Sequence, residues 1–142
     1  MIAMKYAWHK WLDMAKYDKA WHVQDLKEEY QEYEEAKGWF ERWSELSDLV
    51  YCCGRARSRG YKIDFPLARW KQFIGSIYMY PKYTSRFLFF RTAGRKLGAE
   101  IHEVRNPRKV HKLKDIAERY KVDPDNFVKI CEDQLGFWPL LP

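Results

Sequence analysis

The sequence predicts an all-α protein, a helical bundle whose chain ends in a helical hairpin. Apolar residues recur at every third or fourth position in successive segments, which is the spacing of one buried helix face. No segment alternates apolar and polar residues over the length of a strand, and neither βαβ units nor repeats of solenoid length occur. Prolines and glycines separate the periodic segments, so we expect several helices joined by short turns.

Three helices are predicted in the first part of the chain. Apolar residues at helical spacing indicate an amphipathic first helix over residues 4–17. The second helix is predicted over residues 22–37 and the third over residues 39–56. Gly38 lies between them and is expected to end the second helix.

The middle of the chain predicts a fourth and a fifth helix. Pro66 can open the fourth helix in its first turn, and Pro81 is expected to break it. The fifth helix is predicted over residues 86–105, although Gly94 and Gly98 weaken that prediction. The residues expected to face the core are Leu67, Trp70, Phe73, Ile74 and Ile77 in the fourth helix, and Phe87, Leu88, Phe90, Leu97 and Ile101 in the fifth.

The C-terminal part predicts two further helices joined by a short turn. Asn106 can cap the first of them, and Asp123 can cap the second, with Pro124 at its first position. The pair is reminiscent of a helix-turn-helix, but its second helix carries more acidic than basic residues, which argues against its entering a DNA groove. We expect a catalytic bundle over residues 1–105. A hairpin with an apolar tail is expected over residues 106–142, packed on the same domain or on a neighbouring subunit.

Charge is strongly segregated along the chain. The net charge of +6 combines −4 over residues 1–52, +13 over residues 53–122 and −3 over residues 123–142. An acidic first part and a basic middle suit a metal-bound polyphosphate, and a basic surface also attracts nucleic acid. Three cysteines without a CxxC pair predict buried, reduced thiols. With no secretory leader or membrane-length apolar run, we expect a cytoplasmic protein with no membrane partner.

Two pairs of carboxylates lie at i, i+3 spacing in the second and third predicted helices, Glu29 with Glu32 and Glu45 with Asp48. At ~100° per residue, each pair occupies a narrow sector beside an apolar stripe. When the two stripes pack together, the four carboxylates meet along one cleft. They repel one another unless a cation neutralises them, and ions of the Mg²⁺ type prefer such oxygen ligands.

The alternative interpretation of these residues is a solvated acidic helix face. Glutamate is a good helix former, and acidic runs usually lie at the surface. Glu28, Glu34 and Glu35 fit that interpretation. The recurrence of a pair beside two apolar stripes favours a metal site for the other four.

The tandem acidic motif resembles a known family. Residues 28–32, a spacer of twelve residues and residues 45–48 match the E-x-x-E, spacer, E-x-x-D signature of MazG-like proteins, the all-α nucleoside triphosphate pyrophosphohydrolases. The match covers mainly residues 20–56. The resemblance implies that the protein forms dimers or tetramers, and that it cleaves (d)NTPs to monophosphate and pyrophosphate. It also implies Mg²⁺, with Mn²⁺ as an alternative ion, bound by Glu29, Glu32, Glu45 and Asp48.

The resemblance also suggests further roles. One of the four ligands, or Glu28 beside them, would orient and deprotonate the attacking water. The basic residues and the ending of the chain look like small phage-encoded members, which implies a host-cytoplasmic enzyme acting on deoxynucleotides such as dGTP or dATP. A later family element has a partial counterpart in His102, Asn106 and Lys109, with His102 where lysine is usual.

Substrate contacts are predicted from residue chemistry. The charge on a leaving pyrophosphate requires positive side chains, for which the candidates are Arg91, Arg95, Lys96 and Lys109. The alternative for each is an ordinary basic side chain at the solvent-exposed surface. Asn106 has two possible roles, a helix cap or a ligand to the sugar or phosphate of the substrate. Base recognition is expected from the first helices, with Trp21, Gln24 and Trp39 as candidates.

Two other functions remain open at this point. The basic middle and its aromatic residues suit a nucleic-acid-binding protein without catalysis, for which affinity should fall steeply with salt. A phage interaction protein that docks on a host protein through Trp-rich surfaces is the third possibility. Neither alternative accounts for the recurrence of the acidic pairs.

Overall fold

Five α-helices and no strands make up the regular structure of residues 17–138, the part of the chain that the computed structural model describes. The predicted all-α class is confirmed. The first predicted helix lies outside the described residues except for Tyr17, and residues 139–142 also lie outside them. The helices are α1 (Lys19–Glu35), α2 (Trp39–Ser58), α3 (Arg69–Arg95), α4 (Val110–Arg119) and α5 (Pro124–Leu135).

The ends of α1 and α2 follow from side-chain caps and one glycine. The Asp18 carboxylate accepts a hydrogen bond from the backbone N–H of Trp21 at 2.8 Å, so α1 begins before the predicted position. Gly38 has φ +85°, a left-handed conformation that separates the two helices as predicted. The Glu41 carboxylate accepts from the Lys37 backbone N–H at 2.7 Å and steadies the start of α2.

Within the described residues, the chain divides into two compact units, 17–81 and 82–138. In the first unit α1 packs against α2 around Tyr33, Leu46 and Leu49. Gly75 of α3 lies so close to α2 that an added Cβ would be 2.7 Å from a Val50 methyl group and 3.0 Å from the Leu46 carbonyl oxygen. The absence of a side chain at Gly75 therefore permits the close contact between these two helices.

The predicted break at Pro81 is wrong, because α3 runs through this proline. A proline inside a helix removes one hydrogen bond and normally costs about 3 kcal/mol. Here the carbonyl that loses its partner belongs to Ile77, and Ile77 and Pro81 are both exposed, so water can reach this side of the helix. Met79 and Tyr83 on either side of the proline are buried, and their packing offsets the cost.

The predicted buried side of this region is also wrong. Trp70, Phe73, Ile74 and Ile77 are exposed, and Leu67 is half-buried. Periodicity identified an apolar stripe correctly, but a different side of α3, the one that carries Gly75, faces α2.

The predicted fifth helix ends ten residues early, at Arg95. The Ala99 backbone N–H donates to the Gly94 carbonyl at 2.9 Å, and Gly98 adopts φ +68°, so the chain folds back on itself. Phe87, Phe90 and Ile101 are buried as predicted and Leu97 is half-buried, whereas Leu88 is exposed.

The second unit has its own core, built by α4, α5 and the end of α3. The prediction of Asn106 as a helix cap is wrong: its side-chain amide oxygen accepts from the Arg108 backbone N–H at 3.0 Å in a turn, and Lys109 precedes the helix. Asp123 caps α5 as predicted, accepting from the Asn126 N–H at 3.0 Å, with Pro124 in the first position. The buried core residues are Phe89, Phe90, Ala93, Ile101, Leu113, Ile116, Ala117, Phe127 and Cys131.

Two further sequence predictions concern cysteines and membranes. All three cysteines, Cys52, Cys53 and Cys131, are buried and form no disulfide. None of the helices within residues 17–138 combines the length and apolarity needed to cross a bilayer.

Candidate metal centre

Carboxylates from α1 and α2 converge in the first unit. One oxygen from each of Glu29, Glu32 and Glu45 lies within 4.8 Å of the other two. Asp48 lies one helical turn beyond Glu45, and its charge acts on Glu29 more strongly than any other carboxylate. Of the four carboxylates predicted to converge, the structure thus brings three into mutual contact distance and places the fourth in electrostatic range.

Glu29 is the electrostatic centre of this cluster. Its side chain is largely buried, and burial is the main reason why its pKa is raised to about 8. The negative charges of Asp48, Glu32, Asp25 and Glu45 raise the pKa further, in that order. Without a cation Glu29 therefore holds a proton at neutral pH, and a divalent ion would have to displace that proton in order to bind.

This proton makes stability depend on pH in the absence of divalent cations. The folded protein retains a proton on Glu29 up to about pH 8, whereas the unfolded chain loses it near pH 4.5. The folded state thus binds more protons, and its free energy of unfolding should fall by up to about 1.4 kcal/mol per pH unit between these values. Burial lowers the pKa of His22 below 6.5, which opposes this trend only at lower pH.

We therefore expect the urea concentration at the unfolding midpoint of the cation-free protein to decrease as the pH rises from 6.5 to 8. Mg²⁺ should raise the midpoint more at pH 8 than at pH 6.5, because less of the Glu29 proton then remains to be displaced. A midpoint that is flat or rises over this interval, with no effect of Mg²⁺, would contradict the assignment of a buried proton to Glu29.

A second group of ligand atoms shares Glu29. Donor atoms of Asp25, Glu29 and Cys52 also lie within 4.8 Å of one another. On this side the protein supplies its own cation, since the Arg55 guanidinium forms an ion pair with Asp25 and lies 3.5 Å from the Cys52 sulfur. Burial raises the pKa of the Cys52 thiol well above its usual range, which keeps the sulfur protonated.

Aromatic rings hold Arg55 in place. Its guanidinium carbon lies 4.9 Å from the ring centre of Trp21 and 5.6 Å from that of Tyr51. Sequence reasoning did not single out Arg55 as part of the site. The available signal was spacing, because Arg55 follows Asp48 by seven residues and so lies on nearly the same face of α2.

The other predicted residues of α1 lie at the edge of this cluster. Glu28 is exposed, and its carboxylate accepts from the Gln24 amide at 3.0 Å. Trp21 is half-buried and its ring stacks on Tyr17, with the ring centres 3.8 Å apart, in addition to its contact with Arg55. The roles of Glu28 in water activation and of Trp21 and Gln24 in base binding stay predictions.

The predicted phosphate-binding residues belong to the second unit. Arg91, Arg95, Lys96 and Lys109 are exposed, and Asn106 is half-buried with its side-chain amide oxygen engaged in the turn already described. Their predicted roles stay predictions. Two cations of the first unit, which sequence reasoning missed, lie beside Tyr33: the Lys71 ammonium donates to the Tyr33 hydroxyl at 3.0 Å, and the Arg42 guanidinium carbon lies 5.7 Å from its ring centre.

No protein-family model, curated protein or solved structure matches this chain. The resemblance to MazG-like proteins therefore depends on sequence motifs, mainly the tandem acidic motif. What the structure adds is the distance between the two halves of that motif, whose carboxylates lie side by side.

Proposed function

We propose that the protein is a Mg²⁺-dependent nucleoside triphosphate pyrophosphohydrolase that converts a (d)NTP and water to the monophosphate and pyrophosphate. The observation that carries this proposal is the convergence of Glu29, Glu32 and Glu45 from two helices, with Asp48 in electrostatic range. Surface carboxylates normally point away from one another into solvent. Here a buried one has neighbours that oppose its ionisation.

The donor set of the cluster fits a hard divalent cation. Its three converging donors are carboxylate oxygens. When a cation binds, Glu29 would lose the proton that it holds in the cation-free protein. Glu29, Glu32, Glu45 and Asp48 would hold Mg²⁺. When bound, the ion would neutralise their charge, contact phosphate oxygens of the substrate and make a water molecule more acidic.

Other side chains of the first unit would then serve the reaction itself. Hydrolysis needs a base to accept a proton from water as its oxygen attacks phosphorus and the pyrophosphate departs. Glu28 is suited to this role because it directly precedes Glu29 in the sequence, is exposed and already accepts a hydrogen bond from Gln24. Departure of pyrophosphate needs cationic donors. Lys71 and Arg42, which lie beside Tyr33 in the same unit, are the candidates for these donors.

The proposal is tested by incubating the purified protein with Mg²⁺ and each of the four NTPs and four dNTPs. We expect release of pyrophosphate, seen as orthophosphate only after inorganic pyrophosphatase is added, from at least one deoxynucleotide, with dGTP and dATP as first choices. Chelation of the metal should stop the release. No turnover of any nucleotide with either Mg²⁺ or Mn²⁺ would overturn the proposal.

A nucleic-acid-binding function is the second candidate, and the basic surface of the second unit favours it. Arg108, Lys109 and Lys114 are exposed in and just before α4. This function would appear as binding of labelled DNA or RNA that weakens steeply with salt. Neutral replacements of Glu29 and Glu45 would leave nucleic-acid binding unchanged, whereas they would impair nucleotide hydrolysis.

A further inference from the structure

The first unit exposes an unusually large apolar face. Along α3, Trp70, Phe73, Ile74 and Ile77 recur at helical spacing on one side, and they are between 38% and 62% exposed. Trp39 and Phe40 at the start of α2 are 78% and 51% exposed. We call these six residues the aromatic face.

The aromatic face is continuous between the two helices. The rings of Trp39 and Phe40 meet edge to face with centres 5.7 Å apart, and the Phe40 ring lies 5.8 Å from that of Tyr78 on α3. The Trp43 indole N–H donates to the Ile74 carbonyl at 2.9 Å, which fixes the start of α2 against α3. The face is therefore built on a rigid support rather than on separate mobile side chains.

The area of the face is sufficient for a stable interface. At roughly 200 Å² for a large side chain, the exposed fractions of its six residues leave on the order of 700 Å² in contact with water. This exceeds the largest apolar patch of about 300–600 Å² on a typical monomer. Pairing two such faces would bury roughly 1,400 Å², within the range of specific protein interfaces.

The order of residues along α3 suits a second copy of the same helix. Two of these stripes related by a two-fold axis between Phe73 and Ile74 run antiparallel. Trp70 then meets Ile77 of the partner subunit, and Phe73 meets the partner's Ile74, so that each large ring faces an aliphatic side chain. Such self-complementarity is the requirement of a two-fold symmetric interface.

We propose that the aromatic face is a homodimer interface in which residues 70–77 of α3 pair antiparallel with the same residues of a second copy. Burial of its rings would drive the association. The interface does not depend on the activity proposed above, and each can fail without the other.

The test is sedimentation equilibrium of the full chain, whose monomer mass is 17.3 kDa. We expect the native protein to be a dimer and Trp70→Glu to be monomeric, with unchanged helicity by circular dichroism. The matched control is Leu88→Glu, which introduces the same charge at an exposed apolar residue of α3 outside the face and should remain dimeric. A native monomer at 100 µM, or a Trp70→Glu variant that is still dimeric, would overturn the proposal.

A second variant tests the antiparallel register and guards against a failure to fold. Trp70→Glu combined with Ile77→Lys places opposite charges across the proposed two-fold axis, so dimerisation should return at low salt and weaken at high salt. A double variant that folds but stays monomeric at low salt would overturn the antiparallel pairing. If Trp70→Glu does not fold, Phe73→Ser replaces it, with the same expectation of a monomer.

Discussion

Replacing Glu29 by Gln is expected to abolish pyrophosphate release and, in the same variant, to stabilise the fold when divalent cations are absent. The amide cannot take the negative charge that a cation requires, so we expect turnover to fall roughly 10²–10³-fold or more. The amide also removes the penalty of ionising a buried group among four other carboxylates. At pH 8 the free energy of unfolding should rise on the order of 1–3 kcal/mol.

The opposite signs of these two effects make the experiment decisive. A residue that merely supports the fold would lose activity and stability together when replaced. Glu35→Gln is the matched control, since it makes the same change at an exposed position of α1 where the carboxylate accepts a hydrogen bond from Gln31. It should leave both quantities within experimental error. Full activity of Glu29→Gln, or its destabilisation at pH 8, would contradict the central role of this carboxylate.

The second large effect is expected from Arg55→Met. Arg55 and Asp25 form an ion pair with only 14% and 23% of their side chains exposed. Removing the guanidinium leaves the Asp25 carboxylate poorly hydrated beside Glu29 and the Cys52 sulfur. We expect the free energy of unfolding to fall by about 2–4 kcal/mol, measured by urea denaturation.

A double-mutant cycle separates the ion pair from the packing of the Arg55 side chain. Asp25→Asn added to Arg55→Met should recover a large part of the loss, because the Asp25 charge that lost its partner is then removed as well. Arg42→Met, which removes an exposed guanidinium from the same helix, should cost less than about 1 kcal/mol. If the double variant is less stable than Arg55→Met alone, Arg55 acts through its contacts with Trp21 and Tyr51 instead.

Local patterns predicted those parts of the structure that depend on neighbours in sequence. The turn at Gly38 and the cap at Asp123 follow from residues within four positions of the ones they control, whereas the Asp18 cap starts α1 three residues before the predicted position. The sector of α1 that carries Glu29 and Glu32 and the sector of α2 that carries Glu45 follow in the same way from helical spacing. Their convergence required one further assumption, that the apolar stripes beside them pack together, and α1 does pack on α2.

Features that depend on distant neighbours could not be predicted. The continuity of α3 through Pro81 depends on the packing of residues to either side of the proline. From the sequence, only the local cost of a proline inside a helix can be recognised. An apolar stripe at residues 70–77 looks the same in sequence whether it faces a core or another chain. The pairing of Arg55 with Asp25 could not be predicted, because an arginine at the end of a helix fits equally well an interaction with the helix dipole or an outer phosphate contact.

All members of the metal centre lie between Asp18 and Ser58, in two consecutive helices separated by three residues. Contacts over such short stretches of chain form quickly, because little loop entropy is lost when they close. The core of the second unit instead needs Phe89 and Gln134, which are joined by a hydrogen bond across 45 residues. During synthesis on the ribosome, the cluster of Glu29, Glu32 and Glu45 would therefore be assembled before the last two helices have been translated. If this cluster binds a divalent ion as proposed, the ion would already stabilise the nascent chain.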